Sequence, residues 1–335
     1  EHSIQSYETK FCRLCNSDNL TLVLKLNDSA LCDDYLKVKV TQRLYPLIVN
    51  LCKECEFVQL SHVVPPQIIY ENYIYFTDSS PGLKSHFKNY ADEIVLKLGL
   101  SANNLIVDIG SNDGTLLKYL KALGQNVVGI EPSVSASNVA NRQHIKTYNN
   151  FFDRTLVNSV LKSEGQADVI TINNLFANVV NLNNFIENVI QLLSVDGVLI
   201  IESSYLIDML NNMVFDFIYH EHLSYLSVKP LQRWFLGHGL RLFDIQECLT
   251  KGGSLRYFVA KENSKWKEKP SVKKISVLEP QGKVLEKKFS NFNIDILNMK
   301  LKIHDVLKPY ANKKVVGYGA SATTTTLISH FEIQN

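Results

Sequence analysis

Alternation of short apolar runs with helical spacings, from Leu105 to Glu202, constrains this chain more than any other feature. Leu105–Ile109, Asn126–Ile130, Ala167–Thr171 and Gly197–Glu202 are strand-length and largely apolar. Between them, Thr115–Leu123, Ser135–Arg142 and Leu182–Leu193 repeat their apolar positions at helical spacing. Strands apolar on both faces need cover on both faces, which a parallel sheet with helices on each side supplies. The predicted fold is therefore α/β, with a doubly wound Rossmann-like sheet. Further strands near Leu240–Ile245 and Ser254–Ala260 are expected as its antiparallel edge.

The first strand runs into Val107-Asp-Ile-Gly-Ser-Asn-Asp-Gly114. Gly110 permits a tight turn, Gly114 permits close approach, and the helix that follows points its N-terminus at a ligand. The spacing is D-x-G-x-x-x-G, unlike the dinucleotide pattern G-x-G-x-x-G. It resembles the first motif of class I S-adenosylmethionine (SAM) methyltransferases. Glu131 ends the second strand about twenty residues later, where a carboxylate holds ribose hydroxyls. Asp108, Gly110, Ser111, Asn112, Gly114 and Glu131 are thus expected at the cofactor, with another nucleotide as the alternative ligand. Asn173 and Asn174 follow the third strand at the ligand-binding edge, and Phe152 stands in the loop before it as an adenine contact. Loop capping is the alternative for the asparagines.

Cysteines make a separate statement. Cys12-Arg-Leu-Cys15 and Cys52-Lys-Glu-Cys55 are two turns that can aim four sulfurs at one ion. A closed tetrahedral S4 shell suits structural zinc, and four protein ligands leave no catalytic position. Disulfides are the alternative, but no secretory pattern accompanies the pairs. A redox role fits less well, since neither pair opens a thioredoxin-like βαβ unit. Cys32 and Cys248 are single and are expected as buried apolar thiols.

The 335 residues are enough for about two domains. Hydrophobic residues are 45% and charged residues 20%, which excludes a disordered or collagen-like chain. Lys plus Arg total 35 against 33 Asp plus Glu, a net charge of +2, so charge gives no reason to expect nucleic acid or anionic lipid as a partner. No apolar run reaches membrane-span length. The chain opens on Glu1 without a signal pattern or Met, which suggests a trimmed start, and a cytoplasmic location is expected. Only Thr323–Thr326 is of low complexity.

The densest chemistry lies after the fourth strand, in Ile218-Tyr-His-Glu-His-Leu-Ser-Tyr-Leu-Ser227. Its His220-Glu221-His222 is not the zincin HExxH, because histidines two apart do not share one face of a helix. A metal site or a polar turn stays open as an alternative. A His beside a carboxylate can be tuned to take a proton near neutral pH, and the hydroxyls of Tyr219 and Tyr225 can donate to an oxyanion.

Taken together, these motifs resemble the SAM-dependent sugar C-methyltransferases, which act on nucleotide-linked 4-keto sugars. The resemblance spans essentially the whole chain: the paired CxxC module, Tyr73-Ile-Tyr-Phe76, Asp-Ile-Gly-Ser-Asn-Asp-Gly, the Tyr-His-Glu-His block and the late Gly317-Tyr-Gly-Ala320. It implies an N-terminal zinc-binding domain (1–80), a class I methyltransferase core (81–265) and a C-terminal Rossmann-like domain (266–335). That last domain is expected to be truncated. It implies that His222 removes the proton beside the ketone, that Glu221 and Tyr219 orient it or meet the C4 oxygen, and that Tyr73 or Tyr75 closes the site. Asn178, His220 and Tyr225 would contact the sugar. Gly317, Tyr318, Gly319 and Ser321 would contact the nucleotide, after a strand at Lys314–Gly319. The cofactors implied are SAM and structural Zn2+, the partner a nucleotide-diphosphate keto sugar of deoxysugar biosynthesis, and the state a monomer or weak dimer.

Two departures stand out. The family commonly carries His where this chain has Asn178, so any proton transfer there is lost. A Lys usual after the late glycines is replaced by Thr323. Oxygen or nitrogen methylation on the same fold, binding without turnover, and a Rossmann oxidoreductase are the rival readings.

Overall fold

The computed structural model describes residues 6–33, 36, 38, 40–70, 75–319 and 321–333. The chain begins with β1 (Tyr7–Glu8), β2 (Leu20–Ser29), β3 (Tyr45–Cys52), β4 (Val58–Leu60), β5 (His62–Val63) and α1 (Pro66–Tyr70). The long helix α2 (Pro81–Leu98) follows, with Ser80 as its N-cap, Pro81 at its start and left-handed Gly99 at its end. The alternating core is β6 (Leu105–Ile109), α3 (Thr115–Ala122), β7 (Asn126–Ile130), α4 (Val134–Arg142), β8 (Thr147–Tyr148), α5 (Arg154–Ser163), β9 (Ala167–Asn173), α6 (Leu182–Leu192) and β10 (Leu193–Ser204). Then come α7 (Leu206–Asn211), β11 (Ser224–Tyr225), α8 (Val228–Gly237), β12 (Leu240–Cys248), β13 (Ser254–Lys261), α9 (Pro270–Ser276), α10 (Lys283–Leu307) and α11 (Ala322–Phe331).

Seven strands form the main sheet in the order β12-β13-β10-β9-β6-β7-β8. Strands β6 to β10 pair in parallel, and β13 runs antiparallel between β10 and β12. The strand order reverses direction between β6 and β9, the switch point where ligands enter such sheets. Both faces are buried. Helices α2 and α3 cover one with Phe87, Tyr90, Leu117 and Leu120, and α5, α6 and α8 cover the other with Val157, Phe185, Ile186 and Phe235. The predicted doubly wound core and its antiparallel edge are therefore present.

The second sheet decides how the site is assembled. Its order is β11-β4-β3-β2, so three strands come from the N-terminal region and one from residues 224–225. Ser224 pairs with Gln59 and Tyr225 with Val58. Helices α7, α10 and α11 pack on this sheet through Met209, Phe289, Phe292 and Phe331. One expected element is not formed: Lys314–Gly319 is irregular, and Val316 and Tyr318 are exposed. Among the described residues no strand pairs with it, and an unpaired strand is not stable. Cys32 and Cys248, expected as buried apolar thiols, are only half-buried.

Candidate active site

Each CxxC forms a turn. The Asn16 amide donates to the Cys12 carbonyl and the Glu56 amide to the Cys52 carbonyl, with Asn16 and Glu56 both in left-handed backbone. The sulfurs of Cys12, Cys15, Cys52 and Cys55 all lie within 4.8 Å of one another. The Cys12–Cys55 and Cys15–Cys52 separations are 3.6 Å. Zinc–sulfur bonds of about 2.3 Å in a tetrahedron give sulfur separations of about 3.8 Å, whereas a disulfide needs about 2.05 Å. The donor set thus fits structural zinc.

A chamber of about 310 Å³ opens at the carboxyl ends of the parallel strands. Gly110, with φ +75°, turns the chain out of β6, and a Cβ there would sit 2.9 Å from Leu175 Cδ2. The Gly110 and Ser111 amides both donate to the Ile130 carbonyl, at 2.8 and 3.1 Å, which ties the loop to β7. One Glu131 oxygen accepts from the Asn112 amide at 2.9 Å and the other from the Ser133 amide at 2.8 Å. Asp108 accepts from Thr171 Oγ1 at 2.6 Å and Asn173 Nδ2 at 3.3 Å. Burial still pushes its carboxyl up to about 7, because those hydrogen bonds only partly replace lost water.

Of the residues expected at the cofactor, Asp108, Gly110, Ser111, Asn112 and Glu131 line this chamber, as do Phe152, Asn173 and Asn174. Gly114 caps α3 and is not in the lining. The 75–78 segment is stapled over the glycine loop. Thr77 donates its amide to Asn112 Oδ1 at 2.9 Å, Asp78 donates to Asp113 at 2.8 Å, and Asn112 Nδ2 donates to the Tyr75 carbonyl at 3.0 Å. Tyr75 thereby reaches the chamber, whereas Tyr73 lies outside the described residues.

The same chamber takes in Tyr219, Glu221 and His222. His222 Nδ1 donates to the Phe217 carbonyl at 2.9 Å, which fixes the tautomer. Nε2 is then the acceptor, and it takes the Tyr219 hydroxyl at 3.1 Å. Burial, reinforced by the charge of Lys251, pushes His222 down to about 4, so the ring is neutral at physiological pH. Glu221 is pushed up to about 7, chiefly by burial. Asn178 also lines the chamber and donates through Nδ2 to the Tyr70 hydroxyl at 2.8 Å.

His220 and Tyr225 are placed elsewhere. His220 is buried against Tyr45, with Nε2 donating to the Tyr45 carbonyl at 3.2 Å. Tyr225 borders a smaller hollow of about 20 Å³ on another side of His222. Gly317, Tyr318 and Gly319 are exposed and outside the lining, and Ser321 sits at the start of α11, bonded to Thr323 and Thr324. The structure adds Tyr70, Thr77 and Lys251 to the chamber, none of which was singled out by sequence. Lys251 had a signal: it precedes Gly252-Gly253 between two strand patterns.

A glycine loop at the switch point of this sheet, closed by an acidic residue of β6 and another just after β7, defines a class I SAM-dependent methyltransferase. Three family models match in succession: "Putative zinc binding domain" at residues 12–70, "Methyltransferase domain" at 83–245 and "C-methyltransferase C-terminal domain" at 249–335. The chain thus carries, in order, the three domains of a C-methyltransferase. It is 28% identical over 324 residues to the C-methyltransferase NovU of Streptomyces niveus, covering 95% of this chain and 77% of NovU. Among solved structures it overlays the plantazolicin methyltransferase BpumL in complex with SAH, at 15% identity and a TM-score of 0.39 over 55% of this chain and 91% of that one. A SAM-dependent methyltransferase from Clostridium acetobutylicum overlays at 13% identity and 0.43, over 58% and 95%. At those scores the overlays carry no weight beyond the domain matches. No helix among the described residues is long and apolar enough to cross a membrane.

Proposed function

We propose that this protein methylates the carbon beside the ketone of a nucleoside-diphosphate-linked 4-keto sugar. The observation that carries this reading is His222. It is neutral, held by the Phe217 carbonyl, and presents Nε2 in the chamber that the glycine loop also lines. A base that acts on carbon acid must be neutral and oriented before substrate arrives, and both conditions are built in here. Bound SAM supplies a methyl group on sulfonium. The chain's own work is to position and to move one proton: Glu131 and the Asn112 turn hold the cofactor, Tyr75 covers it, and Nε2 takes the α-hydrogen. Tyr219 supports the ring through its hydroxyl and shifts that hydrogen bond to the sugar as the proton arrives. The resemblance of the Tyr-His-Glu-His block supports a sugar ketone as acceptor.

The chamber lies at the small end of the range for ligand pockets, and on this reading it receives the reacting ends of cofactor and sugar, with the nucleotide outside. On this reading residues 1–80, 81–265 and 266–335 act as metal module, cofactor core and nucleotide-facing segment.

Incubation with SAM and a panel of nucleotide-linked 4-keto-6-deoxy sugars tests the reading, with products weighed by mass spectrometry and mapped by NMR. Gain of one methylene on the carbon beside the ketone is expected. A methyl on oxygen or nitrogen, or no product while SAM binds, overturns it.

A further inference from the structure

Thr250–Gly253 joins β12 to β13, and three successive residues of it have positive φ: Lys251 at +53°, Gly252 at +78° and Gly253 at +123°. The left-handed region costs a residue with a Cβ about 1–2 kcal/mol, so a lysine persists there only when its surroundings fix it. They do. The Asn212 side chain donates to the Gly252 carbonyl at 2.8 Å and the Tyr205 amide to the Gly253 carbonyl at 3.1 Å. A Cβ on Gly253 would sit 2.4 Å from Asp208 Cβ, so the turn is pressed against α7.

The outcome is a lysine in the wall of the chamber. Lys251 is the sole Lys or Arg among its described lining residues. Its ammonium makes no hydrogen bond or ion pair with any described residue. Burial lowers its affinity for a proton and the nearby Glu221 carboxyl partly offsets that, so a charge held without direct contact by a strained turn in a ligand chamber is arranged for a ligand's negative charge.

We infer that Lys251 stabilises the enolate oxygen that forms when the ketone substrate loses its α-proton. The inference rests on the keto-sugar reading above. His222 is a weakened base, since burial and the neighbouring charge hold it low. Deprotonation must then be driven from the oxygen side, by lowering the energy of the enolate. Asn178 cannot give a proton, and the Tyr219 hydroxyl, released from His222 as the proton arrives, brings only a neutral dipole. Lys251 supplies a full charge where these groups supply dipoles. In the step, the α C–H bond breaks, its proton goes to His222 Nε2 and its electron pair is held as the enolate. That pair then forms the new C–CH3 bond as the S–CH3 bond of SAM breaks, leaving a neutral thioether. Lys251 keeps its proton throughout, and His222 returns the α-proton to solvent.

Exchange of the α-hydrogen with D2O, followed by NMR with the full chain and a 4-keto sugar nucleotide, isolates this step. Lys251→Met is expected to slow exchange and kcat about 10²- to 10³-fold, with SAM and sugar-nucleotide affinities within about 3-fold. Lys251→Arg should recover part of the rate. Lys251→Asn, which tolerates left-handed backbone, gives the uncharged comparison if the Met variant loses SAM binding. Exchange as fast in the Met and Asn variants as in the wild type overturns the role. Unchanged exchange with sugar-nucleotide affinity weakened at least about 10-fold assigns Lys251 to the diphosphate instead. A wild type that methylates oxygen or nitrogen without speeding exchange refutes the keto-sugar reading itself.

Discussion

His222 and Glu221 are adjacent in sequence and shift in opposite directions for one reason: burial disfavours the charged form of each. For Glu221 the folded value, about 7, lies above the ordinary 4.5. Its contribution to stability is complete below about pH 4.5 and is lost as pH rises through about 7. Glu221→Gln is therefore expected to be more stable than wild type at about pH 8, by about 1–3 kcal/mol, and no more stable at about pH 4. Urea unfolding at the two pH values reads this directly, and equal stability at both would show Glu221 to be solvated. His222→Asn keeps a polar side chain but loses the basic nitrogen. Turnover should fall about 10²- to 10⁴-fold while SAM affinity, by calorimetry, stays within about 2-fold. A matching loss of SAM affinity would place His222 on the cofactor. Both residues were legible because a dense Tyr-His-Glu-His block has few structural uses. The alternate histidine was not: His220 and His222 are two apart, and only the fold shows that one faces Tyr45 and the other the chamber.

At the scale of elements, the core strands and the three helices expected between them could be read to within a few residues, because apolar strands and amphipathic helices carry their own periodicity. Helices α5 and α8 were not expected although they carry the same periodicity, and the rest of what escaped was set by neighbours. The strand Thr147–Tyr148 is two residues long and exists only as a partner to β7. Lys314–Gly319 has a strand-like sequence but no edge to join among the described residues, so propensity alone did not make it a strand. Lys251 was missed because no local pattern reveals that a connection between two edge strands reaches the chamber. The glycine loop was legible, and its tolerance can be measured. Gly110→Ala would force a Cβ against Leu175 at a φ of +75°. We expect a stability loss of about 1–2 kcal/mol and SAM affinity lower by about 10-fold or more. Unaltered SAM titration would mean that the loop is not at the cofactor.

Across the whole molecule, the metal module and the proposed base are mechanically joined. Arg13, inside the first CxxC, donates through Nη1 to the carbonyls of Leu60 and Leu223, at 2.8 and 3.1 Å. The Leu60 amide also donates to the Leu223 carbonyl, at 3.0 Å, one residue beyond His222. Cys52→Ser, or chelation, should therefore remove zinc, lower the melting temperature and abolish turnover together, since metal binding is coupled to folding. Undiminished zinc by metal analysis in the variant would refute the four-sulfur site. The cysteine pairs made the module legible, but not its last strand, because pairing between residues 58–60 and 224–225 leaves no local trace. That borrowed strand makes chain order a poor guide to which parts are interchangeable. The first eighty residues look like a cassette, yet the sheet they build is finished by a dipeptide encoded far downstream. A recombinant that exchanges one such head for another inherits a seam at Ser224–Tyr225. The graft is whole only when that dipeptide travels with the strand it pairs with.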